Sequence, residues 1–207
     1  MKIRVARGIG FCVFIGLFAS CASSYTLTHP TIVNYSNESV VDSVSFSYKY
    51  DILSDNGNRK YARKERKEGI KVLAIKIVNN STSTLNFKDN SQLYSGEKPL
   101  ILLDNKEVYS KLKQSVPSYI IYLILLPIHK FSVNLNGPAN IFPFGYILGP
   151  LFAGSNMIIA AHANANFVYE MVKYDIAKRP ISPGEIVYGI IAIDSEQNIP
   201  LTLKIKK

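Results

Sequence analysis

Apolar and polar residues alternate along several short stretches of this chain, in the period of two that is typical of half-buried β-strands. The clearest stretch is DSVSFSYKYDIL at 42–53, which places five apolar side chains on one face: Val44, Phe46, Tyr48, Tyr50 and Ile52. A second stretch, IKVLAIKIVNNST from Ile70, is rich in β-branched residues. It predicts a strand whose inward face carries Leu73, Ile75 and Ile77.

The same pattern returns near the end of the chain. SPGE at 182–185 predicts a turn, IVYGIIAI at 186–193 a buried strand, DSEQN a hairpin loop, and IPLTLKIK at 199–206 a final alternating strand. Further short strands are predicted at TLNF (84–87) and LILLD (100–104). Short strands separated by turns predict an antiparallel sandwich. The VNNST strand end and the later PGE turn resemble immunoglobulin-like domains of bacterial envelope lipoproteins, which implies a binding or assembly module without chemistry.

An apolar insertion separates these two β-rich parts. From Gln114 to Tyr169, a run of 56 residues, the only Asp, Glu, Lys or Arg is Lys130, although a chain with 19% charged residues would place about ten there. Its first segment, VPSYIIYLILLPI (116–128), predicts a helix too short for a bilayer. Its second, IFPFGYILGPLFAGSNMIIAA (141–161), is expected to be interrupted at Gly149–Pro150.

The insertion ends in NMIIAAHANANFVYEMVKYDIAK (156–178), which is predicted to be an amphipathic helix with apolar positions Met157, Ala161, Ala165, Val168, Val172 and Ile176. The predicted fold is therefore mainly β with an α insertion (α+β). It is an antiparallel immunoglobulin-like β-sandwich at 42–207 that carries an apolar helical insertion at about 115–178. Three alternatives stay open for the insertion: core, a hairpin that enters the bilayer, or a surface at 115–165 that an envelope protein covers.

The first residues, MKIRVARGIGFCVFIGLFAS, combine three basic side chains with an apolar stretch from about Ile9 to Phe18, the layout of a secretory signal. The small residues Ala19 and Ser20 directly precede Cys21. Here the chain resembles bacterial lipoproteins, whose lipobox is an aliphatic residue, two small residues and an obligatory Cys. Phe18 stands where Leu is commoner. The resemblance implies cleavage after Ser20 and attachment of acyl groups to the Cys21 thiol, which bind it to membrane lipid at about 0.8 kcal/mol per buried methylene.

Removal of residues 1–20 would take away Cys12 and leave Cys21 as the single cysteine, so no internal disulfide is expected. Residues 21–41, rich in Ser, Thr and Asn, predict a tether behind the lipidated cysteine. Ala22 and Ser23 occupy places where an acidic residue marks inner-membrane retention in well-studied lipoproteins. We therefore expect a location in the cell envelope, at the outer membrane and facing the periplasm.

The densest charge lies in NRKYARKERKEG (58–69), where a loop or a single helical turn is expected. One interpretation is a solvated loop that keeps a hairpin tip soluble. The other is contact with an anionic lipid surface, at about 1 kcal/mol per basic residue, by Arg59, Lys60, Arg63, Lys64, Arg66 and Lys67. The mature net charge, +9 less the three basic residues of the signal, is +6. In an exported protein this basicity indicates anionic envelope partners and no nucleic acid.

No residue constellation indicates catalysis. His29, His129 and His162 are far apart and lack ligand-spaced partners, so no metal or other cofactor is expected. Ser155 lacks the second glycine of a nucleophile elbow. The sequence therefore predicts a non-enzymatic, lipid-anchored envelope protein with a structural or interaction role at the membrane surface. The alternative is a ligand-binding module for a glycan or a small apolar molecule.

Overall fold

The computed structural model describes residues 21–127, 130–132, 140–177 and 179–206, with the backbone alone for 130–132 and 140–142. The predicted signal at 1–20, together with His129 and Lys178, lies outside the described residues. The chain divides into two compact units. The β unit comprises Tyr25–Lys113 and the chain from Asn164 onward, and the hairpin unit comprises residues 21–24 and the described part of Gln114–Ala163.

The β unit is built on antiparallel sheets and has α+β architecture. A four-stranded sheet has the order β1-β2-β3-β10, formed by β1 (Asn37–Val41), β2 (Val44–Lys49), β3 (Ile70–Asn79) and β10 (Ile186–Asp194). A three-stranded sheet has the order β11-β5-β6, formed by β5 (Ser91–Ser95), β6 (Lys98–Pro99) and β11 (Thr202–Ile205). The short strands β4 (Leu85–Asn86) and β9 (Pro180–Ile181) pair with each other.

One hydrophobic core takes side chains from both larger sheets. Phe46 of β2 and Ile77 of β3 are register partners, as are Tyr48 and Ile75, so their side chains point to the same face. They pack in one buried cluster with Leu93 of β5 and with Leu203 of β11. The predicted inward positions of the first two strands are thereby confirmed, except that Ile52 begins a helix.

Helices cover the opposite face of the four-stranded sheet. Helices α1 (Ile52–Asp55) and α2 (Arg59–Lys67) contact β3, whose Val72 and Ala74 are buried on this side. Helix α3 (Asn105–Leu112) contacts α2, and the Asp104 side chain caps it by accepting a hydrogen bond from the Lys106 N–H. Both faces of β2 and β3 are therefore buried.

Three predictions for the β unit are wrong. Residues 59–67 form the nine-residue helix α2 instead of a loop or a single helical turn, because Tyr61, Ala62 and Glu65 lie on one helical face and are buried. Residues 100–104 form only an isolated bridge between Leu102 and Ile193. The final strand does not form a hairpin with β10 but pairs with β5 in the other sheet.

Two tyrosine hydroxyls account for the pairing of the final strand with β5 instead of β10. The Tyr50 hydroxyl donates to the Ile199 carbonyl over 2.8 Å, and the Tyr48 hydroxyl accepts from the Leu201 N–H over 3.0 Å. These bonds direct residues 199–201 away from β10, and Leu201 and Leu203 enter the shared core.

The hairpin unit consists of a 3₁₀ helix, η2 (Val116–Leu125), a strand pair and the first part of a long helix. Strands β7 (Lys130–Ser132) and β8 (Asn140–Phe142) are paired antiparallel. Helix α4 (Phe144–Lys173) is continuous and contains Pro150, so the predicted interruption is wrong. Pro150 is the seventh residue of the helix, so its missing N–H removes one i→i−4 hydrogen bond, the one to the Tyr146 carbonyl, and the helix continues past it.

The buried face of α4 is also rotated from the predicted one. Ala161, Ala165 and Val172, predicted as apolar contact positions, are exposed. The buried positions are Ala160, Ala163, Asn164, Phe167, Glu170 and Met171. Buried Asn164 and Glu170 are tolerated there because each has a hydrogen-bond partner: the Tyr61 hydroxyl donates to Asn164, and the Tyr25 hydroxyl donates to Glu170.

Candidate functional site

Cys21, the predicted acylation site, belongs to the hairpin unit and is half-buried. The Tyr122 hydroxyl of η2 donates a hydrogen bond to its Sγ over 3.6 Å. Because sulfur is the acceptor, the thioether formed by transfer of a diacylglyceryl group to Cys21 would still accept this bond. Groups attached to Cys21 would therefore leave the protein beside η2.

The residues after Cys21 are bound to the same unit by two amide side chains. Asn156 of α4 accepts a hydrogen bond from the Ala22 N–H over 2.5 Å. Gln114 accepts from the Ser23 N–H over 3.2 Å and donates to the Ser23 carbonyl over 2.7 Å. Both amides lie in the run from Gln114 to Tyr169, whose only charged residue is Lys130. No sequence motif indicated that they would bind the residues after Cys21.

Residues 25–29 are fixed within the β unit, although a tether was predicted over 21–41. Asn58 makes two hydrogen bonds of 2.8 Å with the backbone of Thr26, one as acceptor and one as donor. The buried Glu170 carboxylate accepts from the Tyr25 hydroxyl at 2.6 Å and from the backbone N–H groups of Thr28 at 2.5 Å and His29 at 3.2 Å. Burial, reinforced by the Glu170 charge, raises the pKa of Tyr25. This segment is therefore part of the folded structure, and β1 at Asn37–Val41 continues it.

Large apolar side chains cover the outside of the hairpin unit. We call them the hairpin apolar face, and between 36% and 65% of each residue's surface is exposed: Ile120, Ile121, Ile124, Phe144, Tyr146, Ile147, Leu151, Phe152, Ile158 and Ile159. Helix α4 is long and apolar enough to cross a membrane by length and composition, and its most apolar window has a mean hydropathy of 1.4 and is only 28% buried. A soluble monomer rarely leaves such a patch in contact with water.

The side of α4 that faces the interior of the hairpin unit, by contrast, carries small residues, which pack against Tyr119 and Tyr122 of η2. Gly145, Gly149, Ala153 and Ala160 recur along the buried face of α4. A Cβ added at Gly145 would lie 1.9 Å from the Leu125 carbonyl oxygen, and one added at Gly149 would lie 3.3 Å from that of Tyr122. The glycines therefore allow η2 to approach the helix backbone closely.

The predicted basic segment forms one side of α2. Arg59, Arg63, Arg66 and Lys67 are exposed, whereas Lys60 and Lys64 are half-buried, and the Lys64 ammonium donates to the Lys113 carbonyl. The opposite side of α2 is fixed by Glu65, which accepts a hydrogen bond of 2.8 Å from the Val72 N–H. Burial raises the pKa of Glu65 to about 7. The structure thus places the six basic residues on one helix of the β unit.

A polar pocket of about 480 Å³ lies in the β unit. Its lining includes Asn37, Lys49, Asp51, Asp55 and Asn198. Lys49 pairs with Asp55 over 2.9 Å, and Asn198 donates to Asp51 over 2.8 Å. The pocket wall therefore combines one ion pair with the amide groups of Asn37 and Asn198 and with the Asp51 carboxylate, which Lys71 approaches to 3.9 Å from outside the lining.

The described residues contain no group of three His, Cys, Asp or Glu side chains that could hold a metal ion. The Ser155 hydroxyl donates to the Phe152 carbonyl of its own helix.

Comparison of the chain with protein-family models, with curated proteins and with solved structures finds no match.

Proposed function

We propose that this chain is a non-enzymatic, lipid-anchored protein of a bacterial cell envelope, located at the outer membrane and facing the periplasm. The observation that carries the proposal is the small-small-Cys motif at 19–21 directly after an apolar stretch. The position of Cys21 in the unit that carries the hairpin apolar face supports it. The acyl chains would hold a folded protein close to the membrane surface, because residues 22–29 are hydrogen-bonded and are not a free linker.

Metabolic labelling with an alkyne fatty acid tests the anchor. The wild-type chain, expressed in a bacterium with lipoprotein-processing enzymes, should carry the label and lose residues 1–20. A Cys21→Ser variant should carry none and keep its signal. Ser155→Cys, which places a thiol outside the lipobox, is the matched control and should be labelled only once, at Cys21. A wild-type mature terminus without added lipid mass would exclude the anchor.

We further propose that the basic side of α2 contacts anionic headgroups. The exposed Arg59, Arg63, Arg66 and Lys67 support this, since basic residues near an anionic surface each contribute about 1 kcal/mol. Their replacement by Gln should weaken binding to phosphatidylglycerol vesicles and reduce its salt dependence. A control changes the same number of exposed lysines elsewhere in the β unit: Lys88, Lys98, Lys106 and Lys206. Equal loss in both variants would favour the solvated-surface interpretation.

The immunoglobulin-like character of the sandwich is also a proposal. It is supported by the two antiparallel sheets that share one core. In this interpretation the β unit serves assembly or binding and has no chemistry of its own. A structure of the purified protein with another strand order would exclude it.

A second candidate function is glycan binding, which the polar pocket of the β unit favours over binding of an apolar molecule. Amide and carboxylate groups around Asp51 and Asn198 are suited to sugar hydroxyls. Saturation-transfer NMR with neutral envelope oligosaccharides should then show transfer to the sugar, and Asn198→Leu should abolish it. Absence of transfer in the wild-type protein would remove this candidate.

A further inference from the structure

The first part of α4 is packed in the reverse sense of a helix in a water-soluble protein. Soluble helices bury their large apolar residues and expose polar ones. Here the positions of α4 that face η2 are small and pack against Tyr119 and Tyr122, whereas the large aliphatic and aromatic side chains of α4 belong to the hairpin apolar face outside. A helix that presents small residues to its neighbour and large apolar residues outward is typical of helices that pack together in lipid.

The exposure of this face argues against the core interpretation of the insertion. Ile147 and Leu151 expose 56% and 58% of their surface, and Ile158 exposes 61%. These values belong to a folded chain in which η2 and α4 already pack against each other. The apolar face therefore still needs a partner after the chain has folded.

The chemistry of the face and its neighbourhood favours lipid over protein as this partner. Protein interfaces combine an apolar centre with a polar rim and charged anchors. The hairpin unit has no Asp, Glu or Arg over 114–163 and one Lys, at position 130. The Cys21 sulfur lies 3.6 Å from the Tyr122 hydroxyl, within the same unit. Acyl chains on Cys21 would begin beside η2, whose Ile120, Ile121 and Ile124 are part of the face.

We propose that η2 and the first part of α4 insert their hairpin apolar face into the hydrocarbon of the bilayer that holds the Cys21 acyl chains. This inference rests on the proposed lipid anchor and adds a second, protein-based attachment to it. The part of α4 in the hairpin unit, residues 144–163, has 20 residues and is about 30 Å long, which is sufficient to reach deep into a hydrocarbon core of about 30 Å. The anchor and the hairpin would together fix the orientation of the protein on the membrane.

Probes at single new cysteines test the insertion in the lipidated protein. Acylated Cys21 carries no free thiol, so Ile147→Cys and Ile158→Cys each introduce a single site for an environment-sensitive fluorophore. Ile101→Cys, at a residue of the β unit that is 82% exposed, is the matched control. Each labelled protein is reconstituted in phosphatidylethanolamine–phosphatidylglycerol vesicles, with and without bromine on the acyl chains.

The expected result is quenching by the brominated lipid of on the order of twofold or more at positions 147 and 158, with none at position 101. Aqueous iodide should show the reverse order of quenching. Probes at 147 and 158 that iodide reaches as readily as the probe at 101 would overturn the proposal. Probes shielded from both quenchers would overturn it as well, since a protein surface, including a second copy of this chain, would then cover the face.

Mass spectrometry of the same samples separates this inference from the proposed anchor. A protein with acylated Cys21 whose probes stay in water refutes insertion and leaves the anchor intact. A protein without acyl mass at Cys21 refutes the anchor, and its fluorophore count rises by one for the unmodified Cys21 thiol and by one more for Cys12 where the signal is retained. The two proposals therefore fail by different signals.

Discussion

Replacement of Glu65 by Gln should remove a pH dependence from the stability of this protein. Glu65 is 2% exposed, and its carboxyl accepts the Val72 N–H between α2 and β3. Its pKa is raised from 4.5 to about 7, mainly because burial disfavours the charged form. Gln keeps the shape and the acceptor oxygen but cannot ionise.

The sign of the effect follows from proton linkage. Between pH 4.5 and about 7 the folded state keeps a proton that the unfolded state has lost, so the free energy of unfolding falls as pH rises. The stabilisation is complete below pH 4.5 and is lost as pH passes through the folded pKa. At about 1.4 kcal/mol per pKa unit, the loss is about 3 kcal/mol. When the pH is raised from about 4 to about 8.5, the free energy of unfolding of the Gln variant should therefore increase by about 3 kcal/mol relative to that of wild type.

Urea unfolding in detergent micelles, followed by tyrosine fluorescence at both pH values, measures the difference. Glu68→Gln, at an exposed position on the C-terminal side of α2, is the control and should change stability equally at both. If the Glu65→Gln variant and wild type keep the same stability difference at both pH values, folding does not raise the pKa of the buried carboxyl and the reasoning fails.

Three further substitutions test the packing. Glu170→Ala should cost about 3 kcal/mol or more in urea unfolding, because Tyr25 and the N–H groups of residues 28 and 29 lose their acceptor, and Glu170→Gln should cost less. Gly145→Val should cost about 1–3 kcal/mol through overlap with the Leu125 carbonyl, whereas Gly154→Ala, with open space around it, should be neutral; equal losses would contradict the close approach. Tyr50→Phe should cost about 1 kcal/mol and speed amide exchange at Ile199 and Leu201, and unchanged exchange would show that the hydroxyl does not direct this segment.

Local pattern was sufficient for much of the β unit. Alternation over 44–50 and 70–79 identified two strands and their core face, because side chains on a strand alternate strictly and one face must leave water. The same rule did not reveal that the opposite face of these strands is also covered. That face carries the buried Ser45 and Ser47, and the Ser45 hydroxyl donates to Glu38 of the neighbouring strand β1.

The candidate site divides in the same way. The motif around Cys21, the uncharged run and the cluster of basic residues are all local features of the sequence. The cluster of basic residues lies on a helix, and the opposite side of this helix is buried. This burial depends on the hydrogen bonds of Tyr61 with Asn164 and of Glu65 with Val72. Likewise, part of the segment that was predicted to be a polar tether, residues 26–29, is hydrogen-bonded to Asn58 and Glu170. A local sequence pattern cannot predict hydrogen bonds between residues so far apart in the chain.

The sequence by itself determined the β-rich class and the apolar break, since these follow from composition and short-range periodicity, and its first 21 residues predict export and acylation. The tertiary structure decided which face of α4 is buried, which sheet receives the last strand, and that the large side chains on the first part of α4 point outward. These outcomes depend on hydrogen bonds and close backbone approaches between residues far apart in the chain. Their free energies exist only once the chain has folded.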